Sequence, residues 1–94
     1  MKELSIPPAA RTDPSARELA RVWAAGGQQH VSLETGLWPD PAAWGLFLVD
    51  LARHVANAYE QSDGSDQSLV LARIREAFDA EWQTPTDAPS GRHQ

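Results

Sequence analysis

Apolar residues recur at a helical period in three stretches of the chain and at a period of two in one short stretch, and this contrast predicts its elements. Wound at about 100° per residue, Trp44, Leu48, Leu51, Ala52, Val55 and Tyr59 fall on one arc, with Asp50, Arg53, Asn57 and Glu60 opposite. The spacing predicts a helix over Pro41 to about Gln61, opened by the cap and N1 proline of Asp40-Pro41. Its first half, Trp44 to Val49, is apolar all round, because Leu46 projects onto the otherwise polar side, so cover on more than one side is expected there.

The turn-rich run Ser62-Asp63-Gly64-Ser65-Asp66 ends that helix, and Ser65 or Asp66 is placed to cap another. The next helix is expected to carry Val70, Leu71, Ile74, Ala77, Phe78 and Trp82 inward, forming an αα-hairpin with its predecessor. Towards the N-terminus, Asp13-Pro14 reads as a third helix start. Ala16, Leu19, Val22 and Trp23 would lie on one face, Arg17 and Arg21 on the other, and Gly26-Gly27 would stop the helix.

Between Gln28 and Thr35 the period changes to two: Val31, Leu33 and Thr35 face one way and His30, Ser32 and Glu34 the other. A half-buried strand follows from this, and Glu3 to Ile6 is the short alternating segment available to pair with it, in parallel as a βαβ unit or antiparallel. The expected fold class is therefore α+β: three helices with a small two-stranded sheet, in β-α-β-α-α order, open to extension by dimerisation. Residues 1–83 form one domain in this reading. From Thr84 onward, prolines, Gly91 and the lack of apolar anchors predict a disordered tail over 84–94.

Composition narrows the chemistry. A chain of 94 residues with 41% hydrophobic and 22% charged residues has the makings of a packed domain, and without cysteine it has neither disulfides nor thiolate sites. A net charge of −5 argues against nucleic-acid partners, whose phosphates call for an excess of Lys and Arg. With neither a leader-like N-terminus nor an apolar run of membrane length, a cytoplasmic protein with no membrane association is expected.

The candidate catalytic pair is Asp50 and His54, one helical turn apart, where a carboxylate could orient an imidazole. His30 could add a second imidazole and complete a facial triad, but three scattered histidines make a weak metal signal, so neither metal nor cofactor is expected. Arg53, Arg17 and Arg21 are weak candidates for an anionic ligand, with Glu18 or a partner's carboxylate able to offset the last two. Gly26-Gly27 lacks the surroundings of a phosphate loop. Trp23, Trp44 and Trp82 read as core. Trp38, in a loop beside prolines, reads with Leu46 as a candidate interface.

Across these segments the chain resembles a short bacterial domain family of unknown function. The resemblance runs to about Trp82. It rests on Leu4-Ser5-Ile6-Pro7-Pro8, on Glu18 to Trp23, on Gly27 to Leu33, and on Ala43-Trp44-Gly45 followed by Asp50 to Ala58. It implies a small bacterial protein and brings no reaction, cofactor or catalytic residue with it. The residues themselves favour a non-enzymatic protein-interaction or dimerising module over a small-ligand binder or enzyme at the Asp50/His54 face, because apolar surplus is their unusual feature. Deleting residues 84–94 is expected to change stability by less than about 1 kcal/mol in urea denaturation; a larger loss would mean that the tail docks.

Overall fold

The computed structural model describes residues 2–85, so most of the expected tail lies outside the described residues. The fold is α+β, with three helices and one two-stranded sheet: α1 (Pro8–Thr12), β1 (Ala20–Ala25), β2 (Gln28–Leu33), α2 (Ala42–Asp63) and α3 (Gln67–Gln83). Two compact units divide the chain, one ending at Leu37 and the other beginning at Trp38.

In the first unit, β1 and β2 form an antiparallel hairpin with Val22 opposite Val31, Trp23 opposite His30 and Ala25 opposite Gln28. Only Gly26 and Gly27 connect the strands, at φ of 59° and 76°. A two-residue loop whose torsions follow the strand twist needs positive φ at both positions, which two glycines adopt without a Cβ clash. Past the strand ends, the Glu34 N–H donates to the Leu19 carbonyl at 2.9 Å.

The expected order changes here. The helix expected after Asp13-Pro14 is in fact the strand β1, and the βαβ crossover is an antiparallel hairpin. The run from Leu19 to Ala25 is short and satisfies either period. Gln28 to Leu33 needs a strand partner, and a Gly-Gly turn supplies one from the adjacent residues at small loop cost.

Asp13-Pro14 forms a turn rather than a helix start. The Ala16 N–H donates to the Asp13 carbonyl at 3.0 Å with Pro14 at the second position, and the Asp13 carboxylate accepts from the Ser15 N–H and hydroxyl at 2.9 and 2.7 Å. Those bonds hold the Asp13 carboxyl below its ordinary pKa. Glu3 to Ile6 is not a strand: β2 takes β1 as its partner, and Pro7 and Pro8, following that segment, open the short helix α1.

The second unit follows the expected boundaries closely. The Asp40 carboxylate accepts from the Ala42 N–H at 3.0 Å at the entry to α2. Gly64, left-handed at φ 77°, ends α2 by donating its N–H to the Glu60 carbonyl at 2.8 Å. Asp66 caps α3, accepting from the Ser68 and Leu69 N–H groups at 2.8 and 3.3 Å, and with the Ser68 hydroxyl these bonds hold its carboxyl below the usual range.

The helices α2 and α3 pack as a hairpin, with Gln67 reaching from α3 to the Asn57 and Glu60 side chains of α2 at 3.3 and 2.8 Å. Ala56 is fully buried, the one such residue among the described residues, while Ala52, Val70, Leu71 and Ile74 are partly covered. The inward face expected of α3 therefore holds only in its first half. Phe78 and Trp82 stack on each other with centroids 5.6 Å apart, and Trp82 remains exposed, because a single helix neighbour covers only one side of α3.

Substitution of two glycines should change stability in opposite directions. Gly27→Ala forces a Cβ into left-handed backbone and is expected to cost about 1–2 kcal/mol. Gly45→Ala, where an added Cβ meets no heavy atom within 4 Å beyond its own helical backbone and chain neighbours, is expected to stabilise α2 by about 0.5–1 kcal/mol. Urea denaturation at one fixed protein concentration measures both.

Candidate functional site

Asp50 and His54 come together as the helical spacing requires. His54 Nε2 lies 3.4 Å from Asp50 Oδ2, and their side chains are 75% and 73% exposed. Water therefore surrounds both groups, and nothing in the geometry fixes a substrate or holds the imidazole in one orientation. His30, on the hairpin, has its Nε2 3.2 Å from the Ala25 carbonyl oxygen. Among the described residues, no group of three His, Asp or Glu side chains is placed to hold a metal ion.

The arginine candidates are partly neutralised by neighbours. Arg21 Nε contacts both Glu18 carboxylate oxygens at 2.9 Å, and its Nη1 reaches Glu3 at 3.1 Å. Arg17 Nη2 lies 3.5 Å from Glu34. Because Arg21 sits on a strand and not on a helix, its pairing with Arg17 along one helix face does not arise. An open hollow of about 260 Å³ borders Arg21, Ser32 and Glu34, but an anion placed there would meet the Glu18 and Glu34 carboxylates beside the single guanidinium of Arg21. Arg53 stands on the exposed side of α2.

Trp38 and Leu46, the candidate interface, occupy different surroundings. Trp38 packs edge-on to Trp44 with centroids 4.9 Å apart and 6.3 Å from Phe47, while Trp44 and Phe47 meet edge-on at 5.4 Å. These three rings close the N-terminal end of α2, with Trp44 placed to gain from edge-to-face contact with both Trp38 and Phe47. Leu46 is 75% exposed and lies almost opposite the Trp44 and Leu51 side of the helix.

A larger apolar surface was not among the candidates. Leu48, Leu51, Val55 and Tyr59 remain 47%, 47%, 37% and 51% exposed along one side of α2. The hydrophobic arc itself is legible in the sequence, and the signal that α3 leaves it open lies in the small residues beside it. Ala52 and Ala56 permit close helix approach, and burial is greatest there.

The exposed His54 and Asp50 pair should bind metals weakly. Titration of metal-free protein with zinc, iron(II) or manganese is expected to give no stoichiometric complex tighter than about 10 μM, an affinity worth about 7 kcal/mol. Tight binding that disappears in His54→Ala would contradict this.

Among the described residues, no helix is long and apolar enough to cross a membrane. No curated protein matches the chain significantly. A solved structure from the photosynthetic bacterium Rhodopseudomonas palustrus CGA009, named as a "putative pyruvate dehydrogenase", is similar to it over 100% of this chain and 96% of that one. The sequence identity is 32% and the TM-score 0.75. The family model described as a domain of unknown function (DUF5076) matches residues 3–86, agreeing with the resemblance seen in the sequence. With most of its length covered by that match, the chain belongs to the DUF5076 family.

Proposed function

We propose that this chain is a non-enzymatic protein-interaction module whose working surface is the apolar side of α2. One observation carries the proposal: Ala56 alone is fully buried among the described residues, while Leu48, Leu51, Val55 and Tyr59 stand open along one helix. Isolated helices are marginal in water and draw most of their stability from packing an apolar face. An αα-hairpin with so little enclosed surface gains that stability when another protein covers it.

The name carried by the similar structure suggests a different activity, oxidative decarboxylation of a 2-oxo acid, which requires a cofactor able to take up a carbanion. The residues present do not fit such a group. Among the described residues, the only paired His and carboxylate are His54 and Asp50, which lie in open solvent, and no cluster of three His, Asp or Glu side chains stands there to hold a cofactor's phosphates through a cation.

In urea, the chain at about 0.5 μM is expected to unfold along a shallow transition, with an m value below about 1 kcal/mol/M, because little surface is enclosed within one copy. A monomer at that concentration with the steeper transition of an ordinary small domain would mean that its apolar side chains are covered internally, and would overturn the proposal.

A further inference from the structure

Resting on that interaction reading, we infer that the partner is a second copy of this chain, and that two α2 helices pair along a coiled-coil seam. From Trp44 the residues Leu48, Leu51, Val55, Ala58 and Ser62 follow at alternating spacings of four and three. That is the heptad period of about 3.5, in which the inner positions of one helix meet those of another. The stripe lies roughly a third of a turn around α2 from Ala56, where burial is complete, so α3 leaves it open. Trp38 covers its N-terminal end through Trp44, and the open part runs from Leu48 onward.

Charge selects the occupant. The formal charges of α2 are Asp50, Arg53, Glu60 and Asp63, and each falls at an outer heptad position. The positions flanking the seam are Gly45, Phe47, Ala52, His54, Tyr59 and Gln61, which carry no formal charge at pH 7 with histidine neutral. Flanking charges normally choose partner and orientation in such helix pairs. A foreign helix with charged flanks would therefore find no complement here, while a second copy brings the same uncharged flanks and meets no like-charge repulsion along the seam despite a net charge of −5 on each chain.

On α3, Arg73 pairs with Glu76 and Arg75 with Asp79, so the polar face of that helix is matched within itself. Two-fold pairing places the same uncharged stripe on both sides of the interface, as an isologous contact requires. The open part of the seam and its flanks is a handful of half-exposed side chains, Leu48, Leu51, Val55 and Tyr59, which bounds each copy's contribution to no more than roughly 600 Å². That places the dimer among the small, reversible interfaces below roughly 1,200 Å² in total.

Light scattering of the full chain from about 10 to 200 μM tests this, with a mass rising from near that of one copy towards twice that value. Leu51→Asp is expected to weaken association at least tenfold with helix content retained, while Leu46→Asp, almost opposite the seam, leaves association intact. Since a buried-edge aspartate could unfold the chain, single cysteines give a second readout in a protein that has none of its own. Leu51→Cys or Val55→Cys should form a disulfide-linked dimer under mild oxidation far faster than Leu46→Cys. A constant single-copy mass up to the highest concentration, combined with a shallow urea transition when dilute, would overturn the second copy and leave the interaction reading standing. A steep transition from a monomer would remove both, and preferential dissociation or cross-linking at residue 46 would move the interface off the seam.

Discussion

The packing of α3 against the small-residue side of α2 decides what the rest of this unit can do. A helix comes closest to its neighbour where side chains are small, and Ala56 is accordingly the residue that disappears from solvent. Choosing that side turns the larger residues of α2 away from the one neighbouring helix that packs on it. Leu48, Leu51 and Val55 are left half open by the same contact that makes the hairpin, so the exposed stripe is a consequence of its packing and not of a loose surface.

Polar interactions give the hairpin its direction without adding much enclosed area. Gly64 turns the chain, Asp66 starts the next helix by accepting from two backbone donors, and Gln67 ties that start to Asn57 and Glu60. All of these groups but the partly covered Gln67 are exposed, so they set geometry more than they contribute stability. The long helix is thus placed accurately while the apolar surface along it waits for cover.

The parts of the fold that were legible in the sequence are those specified by local chemistry. Asp40-Pro41, Gly64 and Asp66 mark helix ends because a cap or a left-handed residue acts on its immediate neighbours, whatever the rest of the chain does. The segment Ala20 to Ala25 was not legible in this way. Its alanines suit a helix and its Val22-Trp23 suits a strand, so the decision passed to the pairing of Val22 with Val31 and Trp23 with His30 across the Gly26-Gly27 turn. Of the candidate site, the meeting of Asp50 with His54 follows from helix geometry alone. The openness of that pair does not, since exposure depends on which side of α2 the next helix selects.

That dependence also bears on function. A catalytic pair gains strength from exclusion of water, which raises the worth of each charge and fixes each donor. Asp50 and His54 have neither advantage, and the cations Arg17, Arg21, Arg73 and Arg75 each have a carboxylate within reach. With the α3 arginines paired locally, the least covered feature of the second unit is hydrophobic, and hydrophobic surface has one general remedy, contact with more of the same. The heptad spacing of Leu48, Leu51, Val55 and Ala58 gives that contact a register, and the lack of formal charge beside it lets an identical helix serve.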